Sequence, residues 1–210
     1  MDDNQMVFVI DDDEGVRDGL SLLLSTVEQS CELYKCAYDF LDSYDPDRRG
    51  CLVLDIRMPR MTGLDLQKKL NEMGSRLPII FITGHGDIPM AVEAMRRGAL
   101  DFIRKPFREH DLLDRINEAL ALEDNARRQE LDRQAVNDKL KALSEREWEV
   151  FERVADGEMN KVIAADLGIS ERTVEVHRGH VMRKLGVATL AQLVRVKIES
   201  ETAADSVLSA

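Results

Sequence analysis

Five polar side chains stand at the ends of short strand-like runs. Asp11 and Asp12 follow Met6-Val-Phe-Val-Ile10, and Asp55 follows Cys51-Leu-Val-Leu54. Thr83 follows Pro78-Ile-Ile-Phe-Ile82, and Lys105 follows Asp101-Phe-Ile-Arg104. Brought to one point, three carboxylates, a hydroxyl and an ammonium could carry out phosphoryl chemistry. Converging carboxylates repel each other unless a cation sits among them or one keeps its proton. A small hard divalent ion, Mg2+, suits such oxygen donors and commonly meets phosphate oxygens. Asp55 is the candidate nucleophile, because a carboxylate can accept a phosphoryl group as an aspartyl phosphate. The metal, the Lys105 ammonium and the Thr83 hydroxyl would offset charge on the transferring group. Taken singly, each residue has an ordinary explanation. Acids after strands are common helix caps and turn residues, and a lone lysine is a solvated surface group. The five together, at four separate strand ends, favour the chemical reading.

Such residues need a scaffold that collects strand ends at one edge. The apolar runs alternate with helical patterns: Val16, Leu20, Leu23, Leu24 and Val27 on one face, then Leu64 to Met73, Val92 to Arg97 and Asp111 to Leu122. Residues 33–38 are expected to form a further strand. The expected fold is α/β: a doubly wound five-stranded parallel sheet with helices on both faces. Ligands of such sheets bind beyond the carboxyl ends of the strands.

The rest of the chain has no strand-like run. Residues 123–142 carry many charges and no Gly or Pro, which predicts a helical linker. Ser144 with Glu147 forms a capping box opening a helix through Val154. Helices over 160–167, over 171–185 and from Thr189 to near Glu199 follow, with Gly168 and Gly186 as stops. Residues 200–210 are expected to be a flexible tail. The expected domains are therefore 1–122, a linker 123–142, a small all-α domain 143–199 and the tail. Within residues 160–185, helix, glycine-containing turn and helix form a helix-turn-helix pattern. Val174, Val181 and Leu185 are expected to be buried there, bordered by Thr173 and His177. Arg172, Glu175, Arg178, Gly179, Met182 and Arg183 are expected to face outward. By charge alone, a helical protein-interaction domain fits as well. His177 and His180 lack a third metal ligand.

The 44% hydrophobic content supports a packed core. The net charge of -11 is uneven: residues 1–125 hold 25 acids and 15 bases, whereas residues 143–197 are neutral. A uniformly acidic body would bind nucleic acid poorly, but this distribution leaves the second half free to do so. Three cysteines without zinc spacing suit a reducing, cytoplasmic compartment. An acidic start and the lack of a long apolar run imply neither export nor a membrane.

Residues 1–122 resemble a two-component receiver domain of the CheY-like fold. The resemblance rests on Val9-Ile-Asp-Asp-Asp-Glu14, Leu54-Asp-Ile-Arg-Met-Pro59 with Gly63, Ile82-Thr-Gly84 and Asp101-Phe-Ile-Arg-Lys-Pro-Phe107. It implies that Asp55 accepts phosphate from a histidine kinase. It also implies that Asp11, Asp12, Asp55 and the backbone carbonyl of Arg57 bind Mg2+, that Thr83 and Phe102 form a switch pair, and that Lys105-Pro106 is cis. Phe102 departs from the tyrosine often found there, so its switch must work by packing.

Residues 143–195 resemble the LuxR-type DNA-binding domain, through Leu143-Ser-Glu-Arg-Glu147, Gly157, Asn160-Lys161, Ile163-Ala164, Leu167, Ile169-Ser170, Thr173-Val-Glu-Val-His177 and Lys184-Leu185. Together with Thr83-Gly-His-Gly-Asp87, the architecture resembles the FixJ branch of response regulators, within the FixJ/NarL group. The resemblance implies a recognition helix in the major groove of promoter DNA. Glu175, Val176 and Gly179 would face bases, with Thr173 in the DNA-binding set, while Lys161, Arg172, Arg178 and Arg183 would hold phosphates. It further implies a homodimer on phosphorylation and contact with RNA polymerase. The expected function is a phosphorylation-activated transcriptional regulator. A phosphorylation-independent regulator and an aspartyl-phosphate phosphatase are the alternatives, the latter disfavoured because Arg57 stands where a second acid is usual.

Overall fold

The computed structural model describes residues 5–84 and 88–208, with side chains up to Ser200. Three residues of the Thr83–Asp87 motif, 85–87, and the acidic residues at the very start lie outside the described residues.

The first unit, Met1–Ala126, alternates strands and helices: β1 (Met6–Ile10), α1 (Glu14–Thr26), β2 (Cys31–Tyr34), α2 (Ala37–Asp42), β3 (Gly50–Asp55), α3 (Gly63–Glu72), β4 (Ile79–Thr83), α4 (Ile88–Arg96) and β5 (Asp101–Arg104). The strands form one sheet in the order β2-β1-β3-β4-β5, with every pairing parallel. The central strands are apolar on both faces because both are covered. Val7, Val9, Val53, Ile80 and Ile82 pack with Leu20 and Leu24 of α1 and with Leu112 and Ile116. Phe8, Leu52, Leu54 and Phe81 pack on the other side with Phe40, Leu66, Leu70 and Ala94 of α2, α3 and α4.

The expected strand over residues 33–38 needs correction. The strand is Cys31–Tyr34, and Ala37–Asp42 is a helix. Ala37, Phe40 and Leu41 recur at helical spacing. Phe40 is fully buried, and its ring lies 5.3 Å from Tyr34 and 5.7 Å from Phe8.

Helix α5 (Glu109–Lys141) is a single helix through most of the segment expected to be linker. The division between the units falls inside it. Glu123 is buried: it accepts from Gln5 Nε2 at 2.7 Å and lies 3.7 Å from Arg49 Nε. Asp124 receives Arg49 Nη2 at 2.7 Å. These two residues of the expected linker therefore belong to the first unit, as the charged pairs make plain.

The second unit, Arg127–Ala210, comprises the end of α5 with α6 (Glu145–Ala155), α7 (Asn160–Leu167), α8 (Glu171–Leu185) and α9 (Leu190–Leu208). Its core joins Leu140 of α5 to Val150, Phe151, Ile163, Val174, Val181, Leu185 and Leu193. The capping box is present: Ser144 Oγ accepts from the Glu147 N–H, and Glu147 accepts from the Ser144 N–H. Helix α9 passes the expected end near Glu199 and runs to Leu208, through part of the expected tail. No Gly or Pro interrupts residues 200–208, and Ala203 and Ala204 favour helix.

Candidate functional site

Parallel pairing of β1, β3, β4 and β5 brings their carboxyl ends to one edge. In this strand order the chain reverses direction between β1 and β3, which opens a crevice at their carboxyl ends. Asp11 follows β1, Asp55 ends β3, Thr83 ends β4 and Lys105 follows β5. Asp11, Asp55 and Thr83 are 1%, 6% and 1% exposed. Lys105 Nζ lies 2.5 Å from Asp11 Oδ2 and 3.1 Å from Asp55 Oδ1. Asp55 Oδ2 accepts from the Arg57 N–H at 2.6 Å, and Asp11 Oδ1 accepts from the Asp13 N–H at 2.9 Å. The Lys105 N–H donates to the Thr83 carbonyl at 2.7 Å. The Lys105–Pro106 peptide is cis.

Two buried acids share one ammonium, and their electrostatics follow from that ratio. Burial pushes the Asp11 carboxyl up, against the hydrogen bonds from Lys105 and the Asp13 N–H. Burial also acts to lower Lys105, but the hydrogen bond and charge of Asp11, then those of Asp55, outweigh it and hold the ammonium above its ordinary value. Lys105 is therefore a fixed cation. With Asp12 next in the chain and exposed, the site keeps an excess of negative charge. Oxygen donors with excess negative charge suit Mg2+. Among the described residues, no three His, Cys, Asp or Glu side chains are grouped as a metal-ligand set. The structure brings Asp11, Asp55 and Lys105 together and does not group Asp12 with them.

Two residues shape this site beyond those expected to do its chemistry. Gly63 opens α3 directly beneath β3: its N–H donates to Ile56 O at 2.9 Å. A Cβ there would lie 2.3 Å from Asp55 O and 3.0 Å from Phe81 Cε1. Only glycine permits that approach. Arg17, which sequence reasoning missed, donates from Nη1 to the Asp11 carbonyl at 2.8 Å. A cation in the first turn after an acidic cap, where the helix dipole disfavours it, was the available signal. Phe102 is half-buried against the core beneath α4.

The second group of expected residues lies on α7 and α8. Gly168 takes φ 66° and ψ 33°, the left-handed conformation that ends α7. Ser170 then caps α8, accepting from the Thr173 N–H at 3.1 Å, and the two hydroxyls are 2.8 Å apart. The Thr173 hydroxyl therefore stands beside the cap. Arg172, Glu175, Val176, Gly179, Arg183 and Lys161 are exposed. A Cβ on Gly179 would meet nothing within 4 Å, so packing does not require glycine there. Arg178 is different: it is half-buried, and its Nη1 donates to Asn160 Oδ1 at 2.7 Å. Asn160 was missed as a partner because nothing in local spacing links it to Arg178. Trp148 packs on Phe151, with ring centroids 5.5 Å apart. The far end of α8 is tied down by Lys184, whose Nζ donates to Glu147 Oε2 at 2.6 Å and to Ala142 O at 2.9 Å.

Comparison with known proteins agrees with both halves. Residues 7–117 match the response regulator receiver domain, and residues 141–197 match the bacterial regulatory proteins of the luxR family. The response regulator protein TodT of Pseudomonas putida is 45% identical over 191 residues, covering 91% of this chain and 84% of TodT. The transcriptional regulatory protein FixJ of Azorhizobium caulinodans is 44% identical over 198 residues, 94% of each chain. The solved structure of the response regulator StyR is similar with a TM-score of 0.87 and 44% identity, covering 93% of this chain and 99% of that one. The chain thus belongs to the response regulators that join a receiver domain to a luxR-type DNA-binding domain, and it is a transcriptional regulator of a two-component system.

Proposed function

We propose that Asp55 is the phosphoacceptor and that its phosphorylation by a sensor histidine kinase promotes receiver dimerisation and promoter binding. The observation that carries this is the setting of Asp55: buried at the tip of β3, with Lys105 Nζ and the Arg57 N–H on its two oxygens. An Asp55 carboxylate oxygen attacks phosphorus. The bond from phosphorus to the kinase histidine nitrogen breaks, and that nitrogen keeps the electron pair. Lys105 offsets charge on the phosphoryl oxygens. Mg2+, held by Asp11, Asp12, Asp55 and the Arg57 carbonyl, would add to that neutralisation when bound. The Thr83 hydroxyl then takes a phosphoryl oxygen, and Phe102 follows by repacking.

The surface of α4, β5 and α5 is the proposed dimer face. It carries both signs of charge, including Arg97 with Glu93 at 2.7 Å and Arg115 with Asp101 at 2.9 Å. Mixed charge suits a two-fold, self-complementary contact. In the second unit, α8 is the recognition helix: Glu175, Val176 and Gly179 face the bases, with Lys161, Arg172 and Arg183 on phosphates. RNA polymerase is a further partner at the promoter. Arg57 in place of a second acid argues against phosphatase turnover. Among the described residues no helix is long and apolar enough to cross a membrane, and the three cysteines are free; both suit a cytoplasmic regulator.

Moving a switch from 1:99 to 99:1 takes about 5.5 kcal/mol of differential stabilisation, which phosphorylation, dimerisation and DNA share. The test is molar mass by light scattering with Mg2+ and beryllofluoride, a stand-in for the phosphoryl group. Wild type is expected to pass from monomer to dimer, while Asp55→Ala stays folded and monomeric. A dimer of Asp55→Ala that binds promoter DNA without a phosphate donor would refute the switch.

A further inference from the structure

In α8, Val174, Arg178, Val181 and Leu185 fall on one stripe of a 3.6-residue helix. The three apolar members are buried and Arg178 is half-buried among them. The exposed residues Arg172, Glu175, Val176, Gly179 and Arg183 form a separate stripe on the other side. Arg178 therefore stands on the side of the helix that faces protein. It lines a small recess with Val150, Phe151, Val181 and Leu193, all apolar. Its guanidinium reaches Asn160 Oδ1, on the first residue of α7.

We propose that Arg178 is a positioning residue for DNA binding, which sets α8 against the start of α7 through Asn160 rather than holding a phosphate. The proposal rests on reading α8 as the recognition helix. A planar guanidinium on a packed stem gives a directional bond, so it can fix how one helix crosses another. Base-edge hydrogen bonds depend on that placement, whereas contacts from flexible cations to phosphates tolerate small shifts. Loss of the Arg178–Asn160 bond is thus expected to fall on specific binding more than on non-specific binding.

The test uses full-length protein activated with beryllofluoride and fluorescence anisotropy across a salt series. The probes are a duplex selected by the wild type from a random library and a scrambled duplex of equal length. Arg178→Met and Asn160→Ala are each expected to weaken binding to the selected duplex roughly tenfold, and the double variant no further, as for residues in contact. The ratio of affinities for the two duplexes falls, which partial unfolding would not produce because it scales both. The salt slope stays at the wild-type value. Trp148 fluorescence follows folding, and Asn160→Ala keeps the test open if Arg178→Met unfolds. A slope shallower by about 0.9 in Arg178→Met, with Asn160→Ala binding like wild type, would make Arg178 a phosphate contact and overturn the proposal. Wild-type binding by Arg172→Ala and Arg183→Ala would instead remove the recognition-helix reading, and the proposal with it.

Discussion

Two glycines with opposite surroundings show how single residues serve the two sites. Gly63 is required by space: a Cβ would stand 2.3 Å from Asp55 O, and backbone at a strand end cannot yield cheaply. Gly63→Ala should destabilise the first unit by about 1–3 kcal/mol, the usual cost of overpacking. It should also slow phosphorylation by acetyl phosphate, because α3 is forced away from the Asp55 backbone. Urea unfolding and a phosphorylation time course check both effects; an unchanged midpoint would show that β3 gives way freely. Gly179 has open space where its Cβ would be. Within a helix, glycine costs up to about 1 kcal/mol relative to alanine. Gly179→Ala should therefore stabilise the second unit by roughly that amount while weakening DNA binding. A stabilised protein with unchanged DNA affinity and selectivity would mean that this position does not approach the bases.

At the level of elements, polar ties add direction to the apolar packing between helices. Glu147 is an example. Its carboxylate is held down from 4.5 to about 2, first by the Lys184 ammonium and then by the Ser144 N–H. A depressed folded-state value means that its contribution to stability is present in full above the ordinary carboxylate range. That contribution is lost as pH falls through the window from 4.5 to about 2. Acid unfolding of the second unit, followed by the single tryptophan, Trp148, should show a loss of stability in that window. Glu147→Gln should be less stable near neutrality and should flatten the drop. Equal acid profiles for the two proteins would show that other carboxylates govern the transition. The same pair anchors α8 near its C-terminal end and the Arg178–Asn160 bond holds its middle, so α8 is tied to α6 at one point and to α7 at another.

For the whole molecule, the dominant physical fact is the division of charge. The first 125 residues carry most of the net -11, and DNA binding must work against that field. Lys161, Arg172 and Arg183 are exposed on the second unit and give a local attraction that salt screens. Affinity for DNA should therefore fall steeply as salt rises, each phosphate contact adding about 0.9 to the slope of log K against log salt. Arg172→Ala should lower that slope by about the same amount. Anisotropy titrations at several salt concentrations test this, and a flat response would argue against phosphate contacts on these residues.

The sequence by itself determined the order of the elements apart from α2, both helix stops at Gly168 and Gly186, the strand-end positions of Asp11, Asp55, Thr83 and Lys105, and the burial of Val174, Val181 and Leu185 in α8. Each is written locally: apolar periodicity, a cap, or a glycine where the chain must turn left-handed. The helix at Ala37–Asp42 was hidden because six residues following a strand carry too little periodicity to separate the two. Only the tertiary structure decided that Lys105 bridges Asp11 and Asp55, that Gly63 must lack a side chain, that Arg49 claims Glu123 and Asp124 for the first unit, and that Arg178 turns to Asn160. All four join residues far apart in the chain or depend on how closely two elements approach. The free energy of such contacts comes from packing and partner geometry, which no spacing along the chain encodes.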